Sequence, residues 1–475
     1  MKDSIIRESD ISISTQLYDI LRKTIIEKKW KENQKYYSVR QLSIRYNVNP
    51  NTVLKVIHIL EDEGYLYSVK GKGCFIKKGY NNDISVRMTP ILNTFKFGQF
   101  SKETEINLSN GAPPKEFFPI KDYNKLLNEI LNDKENINSL MGYQNIQGLE
   151  SLREVLSDFT KKYGIISDKN NMILCSGTQM ALQLISTSFG INPKKTIALS
   201  NPTYQNAIFI LKNFCDIEYI DLQYDGWNMK EFENLLKNKK IDFVYIMTNF
   251  QNPTGISWSF VKKRHLLALA EKFDFYIIED ECFSDFFYYS QKTPHSLKAL
   301  DKNDRVFFIK TFSKIVMPGI SLALFIPPKK YIENLSLNKY FIETTTSGIN
   351  QKFLEFFIKR GLLDKHLSNL RNVLKEKMDF TLNLLQNIKH IEVIFEPKGG
   401  FFIWLKLAHY IDSEKFYYKC KLRGLSILPS FVFSSTTKEL KSRIRISIVS
   451  ASMQEIKKGV EIIEDILNHC ENLDM

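Results

Sequence analysis

The sequence predicts an α/β protein in two unequal parts, a small helical head followed by a large domain with a mostly parallel sheet. Three observations lead there. From about residue 105 to 465, short apolar strands alternate with helical stretches, the pattern of strands covered by helices on both faces. The first eighty residues instead carry apolar positions at helical spacing in three successive stretches, closed by two short strand-like runs. At 475 residues the chain also exceeds what one hydrophobic core usually serves.

The charge is placed unevenly. Net charge is +13, and residues 1 to 80 hold 15 Lys+Arg against 9 Asp+Glu, so a sixth of the chain carries nearly half the excess. A basic head favours a polyanionic partner such as nucleic acid. Cys74, Cys175, Cys215, Cys282, Cys420 and Cys470 are scattered without the close pairs of zinc or redox motifs, so no metal site and no disulfide framework is expected, and a reducing cytoplasm fits. The start, Met1-Lys2-Asp3-Ser4, lacks the apolar core of a signal peptide. No uninterrupted apolar stretch approaches the roughly 20 residues that span a bilayer, so neither export nor membrane insertion is expected.

In the head, Leu17, Ile20, Leu21, Thr24 and Ile25 predict a first helix, Val39, Leu42 and Tyr46 a second, and Val53, Val56, Ile57 and Leu60 a third. In the connection Asn47-Val48-Asn49-Pro50-Asn51-Thr52, Asn49 can cap the third helix, and Pro50 suits its first position because no amide hydrogen is needed there. Gly64 ends that helix. Tyr65-Leu66-Tyr67 and Cys74-Phe75-Ile76 can then pair around the basic loop Lys70-Gly71-Lys72-Gly73. Three helices with this turn and a hairpin wing make a winged helix-turn-helix. That reading gives Ser38, Arg40, Lys55, Lys70 and Lys72 to DNA phosphates, and Asn49, Asn51 and Thr52, at the exposed start of the third helix, to base edges. A bare three-helix pattern would equally describe a small bundle with a solvated basic face; the turn and the wing at this spacing favour the DNA reader.

Residues 78–104 are polar and weakly patterned and read as a linker between domains at 1–77 and 105–475. Beyond it the chemistry lies in loops. Ile173-Leu174-Cys175 predicts a strand that runs through Ser176-Gly177-Thr178-Gln179 into a helix, and small residues at a helix N-terminus present amides to an anion such as phosphate. Tyr204, in Asn201-Pro202-Thr203-Tyr204, can stack on a pyridine ring. Asn252, in Gln251-Asn252-Pro253-Thr254-Gly255, can donate to a phenolic oxygen. Asp280, after the strand Tyr276-Ile277-Ile278, can keep a ring nitrogen protonated. Lys314, in Thr311-Phe312-Ser313-Lys314, supplies an amine for a Schiff base. Together these are the parts of a site for pyridoxal 5'-phosphate. Taken singly, each has an ordinary alternative: a surface tyrosine, a capped turn, a buried ion pair, a solvated lysine.

The order of these segments resembles fold type I aminotransferases. The head resembles the GntR family over residues 12 to 77, through Ser38-Val39-Arg40-Gln41-Leu42, Asn51-Thr52-Val53, Leu60-Glu61-Asp62-Glu63-Gly64 and Gly71-Lys72-Gly73-Cys74-Phe75-Ile76, with Pro50 where many members carry arginine or another polar residue. The two together resemble the MocR-type regulators of the GntR family. Asn107-Leu108-Ser109-Asn110-Gly111-Ala112-Pro113 with Phe117-Phe118-Pro119 resembles the opening of their sensor domain, and Gly399-Gly400-Phe401-Phe402-Ile403-Trp404 a strand of their smaller C-terminal α/β subdomain. The resemblance implies cofactor contacts from Ser176, Gly177, Thr178, Tyr204, Asn252, Asp280, Cys282, Thr311, Ser313 and Lys314. It implies that Tyr143 reaches the phosphate of the neighbouring subunit in a homodimer, and that Arg445, in Arg443-Ile444-Arg445-Ile446-Ser447, grips a substrate carboxylate, for which its planar fork is suited.

Two positions depart from that family. Cys282 stands where a tyrosine is expected two residues after the ring aspartate, and Ser321 where a phosphate-binding arginine is expected seven residues beyond the lysine; no arginine lies between Lys314 and Arg360. Losing such a contact weakens cofactor retention on the scale of about 1.5–3 kcal/mol. The expected function is a transcription regulator that binds double-stranded operator DNA as a homodimer, carries pyridoxal phosphate on Lys314, and senses an amine, an amino acid or the cofactor itself. An active aminotransferase with a DNA-binding appendage is the alternative favoured by Asp280, Asn252, Lys314 and Arg445. A regulator that has lost the cofactor is the one favoured by Cys282 and Ser321.

Overall fold

The computed structural model describes residues 5, 13–27, 30–31, 33–62, 64–69, 71–77, 105–113, 115–134, 137–189, 194–290, 292–434 and 440–469. The expected linker at 78–104 and Lys70 lie outside the described residues.

The head folds as its periodicity predicts. Helices α1 (Ile13–Glu27), α2 (Val39–Tyr46) and α3 (Pro50–Asp62) bury Leu17, Leu21, Ile25, Leu42, Val53, Val56, Ile57 and Leu60 in a common core. Ser38 opens α2 with a reciprocal capping box to Gln41, and Asn47, at φ 52°, closes it. The Asn49 side chain accepts from the Asn51 amide at 2.9 Å and so starts α3 at Pro50. Strands β1 (Leu66–Val69) and β2 (Gly73–Ile76) pair antiparallel with Leu66 opposite Ile76, forming the expected wing.

In the large region, β3 (Ile106–Asn107) precedes an eight-stranded sheet made of β4 (Ile173–Cys175), β5 (Lys195–Asn201), β6 (Cys215–Gln223), β7 (Gly226–Trp227), β8 (Phe243–Ile246), β9 (Tyr276–Glu281), β10 (Val306–Thr311) and β11 (Ala323–Ile326). The spatial order is β4-β11-β10-β9-β8-β5-β6-β7. The run from β10 through β9, β8 and β5 to β6 is parallel, while β11 is antiparallel to both β10 and β4. Parallel strands need helical crossovers on both faces, which is why β5, β8, β9 and β10 are buried almost along their whole length. A second, antiparallel sheet has the order β12-β13-β16-β15, from β12 (Ile391–Val393), β13 (Phe402–Leu407), β15 (Leu428–Pro429) and β16 (Arg443–Ser447). Its neighbour β14 (Leu425–Ser426) runs back to pair with β3.

Head and large region touch within one chain. The Tyr18 ring on α1 lies 5.7 Å from that of Tyr418, on the helix Ser413–Leu422. From α3, Lys55 Nζ donates to the carbonyl of Leu422 at 2.6 Å, at the end of the same helix. That end carries unsatisfied carbonyls and the negative pole of the helix, so an ammonium suits it. Among the described residues no helix is long and apolar enough to cross a membrane.

Candidate functional site

In an open parallel sheet, ligands sit beyond the carboxyl ends of the strands. Here those ends deliver Asn201 to Tyr204 after β5, Gln251 and Asn252 after β8, Asp280 near the end of β9, and Thr311 to Lys314 after β10. Parallel register sets Asp280 beside Ile309, so Asp280 and the Lys314 loop leave the sheet as neighbours. Asp280 lies within β9 rather than after it. Because side chains alternate across a strand, Glu279 and Glu281 point to the opposite face, where Glu279 accepts from Thr248 and the amides of Leu297 and Lys298, and Glu281 from Asn249.

Asp280 is 1 % exposed and accepts from Tyr245 Oη at 2.8 Å and from Cys282 Sγ at 2.9 Å. Burial pushes its carboxyl above the ordinary range, against those two hydrogen bonds and the charges of Lys310 and Lys314. Burial also holds the Lys314 ammonium below the ordinary lysine range; Arg445 adds to that, and Cys282 and Asp280 oppose it. A lowered ammonium pKa is the direction that favours nucleophilic attack on an aldehyde. The Tyr204 phenol, raised mainly by burial, bonds with Gln179 and Asn206 and feels Cys282 and Asp280. Cys282, where the family resemblance implies a tyrosine, thus faces the same space as Lys314, with its thiol 4.0 Å from Thr178 Oγ1.

Arg445 is central in its sheet, opposite Trp404 on one side and Leu428 on the other, and only 2 % exposed, so it is not a surface arginine on an edge strand. Its Nη1 donates to Asn252 Oδ1 at 2.9 Å, Nη2 donates to the Ser109 carbonyl, and the guanidinium lies 4.2 Å from the Phe402 ring centroid and 5.0 Å from that of Phe433. Burial lowers its pKa to about 9. Nε has no hydrogen-bond partner.

Gly177, at the turn from β4 into the helix Thr178–Phe189, has φ +97° with nothing within 4 Å of the place a Cβ would take. The conformation demands glycine, and the space before the helix N-terminus is open to an anion. Ser176 and Thr178 flank it; Thr311 is buried and its hydroxyl accepts from the Ser313 amide at 3.3 Å. Across β11, Ala323 lies opposite Cys175, and Ser321, two residues before Ala323, is exposed at φ 46° and brings no guanidinium. Instead, Ser176 Oγ donates to the Glu343 carboxylate. Tyr143 is 84 % exposed on the single chain, reaching none of these groups. The ring end, Lys314 with Asp280 and Asn252, fits pyridoxal phosphate. The cradle at Gly177 fits its phosphate through a helix N-terminus, without the expected arginine.

Sequence reasoning missed Tyr245, Ser109, Phe402, Phe433 and Glu343. Only Tyr245 left a usable trace, a tyrosine in the otherwise apolar run Phe243-Val244-Tyr245-Ile246 of a strand adjoining β9.

In the head, Arg40, Asn49, Asn51 and Lys72 are exposed and Thr52 is half-buried. Besides Asn49, which caps α3, two candidates have structural duties. Ser38 Oγ accepts from the Gln41 amide at 3.2 Å, and Lys55 is bonded to Leu422.

Comparison with known proteins accounts for both parts. The family of bacterial regulatory proteins, gntR family, matches residues 13–76, and the family aminotransferase class I and II matches residues 103–463. The HTH-type transcriptional regulator NorG of Staphylococcus aureus (strain USA300) is 31% identical over 443 residues, covering 89% of this chain and 97% of that protein. The chain belongs to the MocR-type regulators of the GntR family. This MocR-type protein is therefore a transcriptional regulator with an aminotransferase-like domain. Its large region is similar to the aromatic-amino-acid aminotransferase 1 of Thermococcus litoralis, 28% identical over 371 residues, covering 76% of this chain and 88% of that protein. Among solved structures it resembles the kynurenine aminotransferase of Pyrococcus horikoshii, with a TM-score of 0.74 and 26% identity, covering 83% of this chain and 96% of that one.

Proposed function

We propose that this regulator binds operator DNA as a homodimer through a head at 1–77, and that its 105–475 region holds pyridoxal phosphate covalently through Lys314 Nζ and senses an amine or amino acid there. The observation that carries the reading is the convergence of Lys314, Asp280 and Asn252 at the strand ends of a chain that also bears a GntR head. A DNA partner makes the cytoplasm the compartment in which it acts.

When bound, the cofactor supplies an aldehyde that bonds to amines and a ring that withdraws electrons from them. The chain's own groups divide the remaining work. Asp280, steadied by Tyr245 and Cys282, would hold the proton on the ring nitrogen. Because Asn252 Oδ1 accepts from Arg445, the Nδ2 end is left to donate to the phenolic oxygen. Arg445 keeps one unpartnered nitrogen and a face between two aromatic rings, and would take the carboxylate of an amino-acid ligand. Support for the dimer comes from Met141, Tyr143, Tyr340 and Phe341, all exposed, on segments tied together where the Gln144 amide donates to Thr345 Oγ1 at 3.0 Å.

The test is spectroscopic. Protein incubated with pyridoxal phosphate should develop a visible band that borohydride traps and Lys314→Ala abolishes; a wild type with no band would falsify the cofactor reading. The buried Arg445 favours a second reading, an active aminotransferase, and sustained turnover of an amino donor with a keto acid would establish it.

A further inference from the structure

The phosphate cradle lacks its expected arginine but contains a carboxylate, and behind that carboxylate lies a lysine with no hydrogen bond. Glu343 caps the helix Ile332–Ile342, and one of its oxygens accepts from Ser176 Oγ. Its other oxygen, Oε2, has no hydrogen-bond partner and stands 3.8 Å from Lys339 Nζ, one helical turn earlier. Lys339 is 0 % exposed, and its ammonium likewise has no hydrogen-bond partner. An ammonium has three donors to place, and a lone carboxylate beyond hydrogen-bond distance does not fill them. The pair is anchored against the cradle: Asn338 Nδ2 donates to Ser188 Oγ at 2.6 Å on the helix that starts at Thr178, and Thr346 Oγ1 donates to the Leu174 carbonyl at 3.3 Å on β4. The charge of Lys339 is felt at the Cys175 thiol, immediately before Ser176.

We propose that Lys339 replaces the missing arginine as the counter-charge for a phosphate monoester in the Gly177 cradle, and that Glu343 is a built-in competitor that must leave Ser176 before the phosphate enters. A dianion with three acceptor oxygens satisfies Lys339 better than the distant carboxylate does, and cannot share the Ser176 hydroxyl with Glu343. Glu343 stands at the helix end, its side chain 12 % exposed and followed by the exposed Thr344, so it has a way outward, whereas Lys339, 0 % exposed, has none. Cofactor affinity is then set by a competition inside the protein, which gives a regulator graded occupancy instead of permanent loading.

This inference rests on the cofactor reading above, and the experiment separates the two. Full-length wild type, Lys339→Met, Glu343→Gln and the charge-neutral double variant are titrated with pyridoxal phosphate and with pyridoxal, which lacks the phosphate, following the lysine-bound absorbance band, with circular dichroism as the check on folding. Lys339→Met should raise the dissociation constant for pyridoxal phosphate at least about tenfold and leave that for pyridoxal unchanged, and Glu343→Gln should lower the former severalfold. If the single lysine variant does not fold, the double variant, whose pair is neutral, should bind pyridoxal phosphate at least about tenfold more weakly than Glu343→Gln does, with pyridoxal unchanged. Equal loss of both forms, wild-type affinity for pyridoxal phosphate in a folded Lys339→Met, or a double variant that binds it as tightly as Glu343→Gln, overturns the proposal alone. Absence of any band in the wild type removes the cofactor reading and this proposal with it.

Discussion

Lys55 is expected to be a weaker DNA contact than its place on the recognition helix suggests, because it already has a partner. In the free chain its ammonium is bonded to the Leu422 carbonyl at 2.6 Å. Hydrogen bonds to charged groups contribute about 1.5–3 kcal/mol. Lys55 is exposed overall, so competition from water brings this one to about 1 kcal/mol. To meet a phosphate, Lys55 must first release Leu422, so about 1 kcal/mol of the new contact is offset. Arg40 is exposed with no bond to another described residue and has nothing to release. Each contact neutralises one phosphate, so Lys55→Ala and Arg40→Ala should each flatten the dependence of log affinity on log salt by about 0.9. At any one salt concentration, however, Lys55→Ala should weaken binding roughly fivefold less than Arg40→Ala. Fluorescence anisotropy with the protein's own upstream DNA between low and moderate salt measures both quantities. Should Lys55→Ala weaken binding as much as Arg40→Ala or more, the argument from the Leu422 bond is wrong.

Three further outcomes are expected. Arg445→Lys keeps a charge but loses the fork, so ligands bearing a carboxylate should bind about ten- to a hundredfold more weakly while amines without one are spared, as calorimetry on cofactor-loaded protein would show. Lys310, 0 % exposed, donates to Asp285, 1 % exposed, at 2.5 Å, and Lys310→Met should lower stability to denaturant by about 3 kcal/mol; a loss under about 1 would mean that Lys162, 3.1 Å from the same carboxylate, suffices. The Asp285 carboxyl is held well below its ordinary range by Lys162, Lys310 and Tyr163 although burial opposes them, so its stabilisation is complete above the unfolded value of about 4 and fades as pH falls below it. In Asp285→Asn, thermal melts should show that acid limb flattened, with stability at neutral pH reduced.

The site was readable in the sequence as far as it is built from strand ends. Asp280, Asn252 and Lys314 each follow a short apolar run, and a parallel sheet brings such ends together whatever the loops do. The head was readable for a local reason: Asn49, Pro50 and Gly64 act on their immediate neighbours. What escaped depends on contacts between distant segments. Glu343 meets Ser176 across 167 residues and Lys55 meets Leu422 across 367, and neither carboxylate nor lysine sits in a pattern that marks it. Lys310 escaped for another reason. Within Val306-Phe307-Phe308-Ile309-Lys310-Thr311 a lysine reads as a strand end reaching water, whereas Asp285 draws it fully inside.

The short β3–β14 ladder joins two places that are otherwise remote. Just past β3, the Ser109 carbonyl accepts a hydrogen bond from Arg445, while the Leu108 amide donates to the Ser426 carbonyl. Just before β14, the Ile106 amide is held by Gly424, two residues from the Leu422 carbonyl that grips Lys55. Drawing the guanidinium off Ser109 would therefore pull on a strap whose far end is bonded to Lys55 of α3.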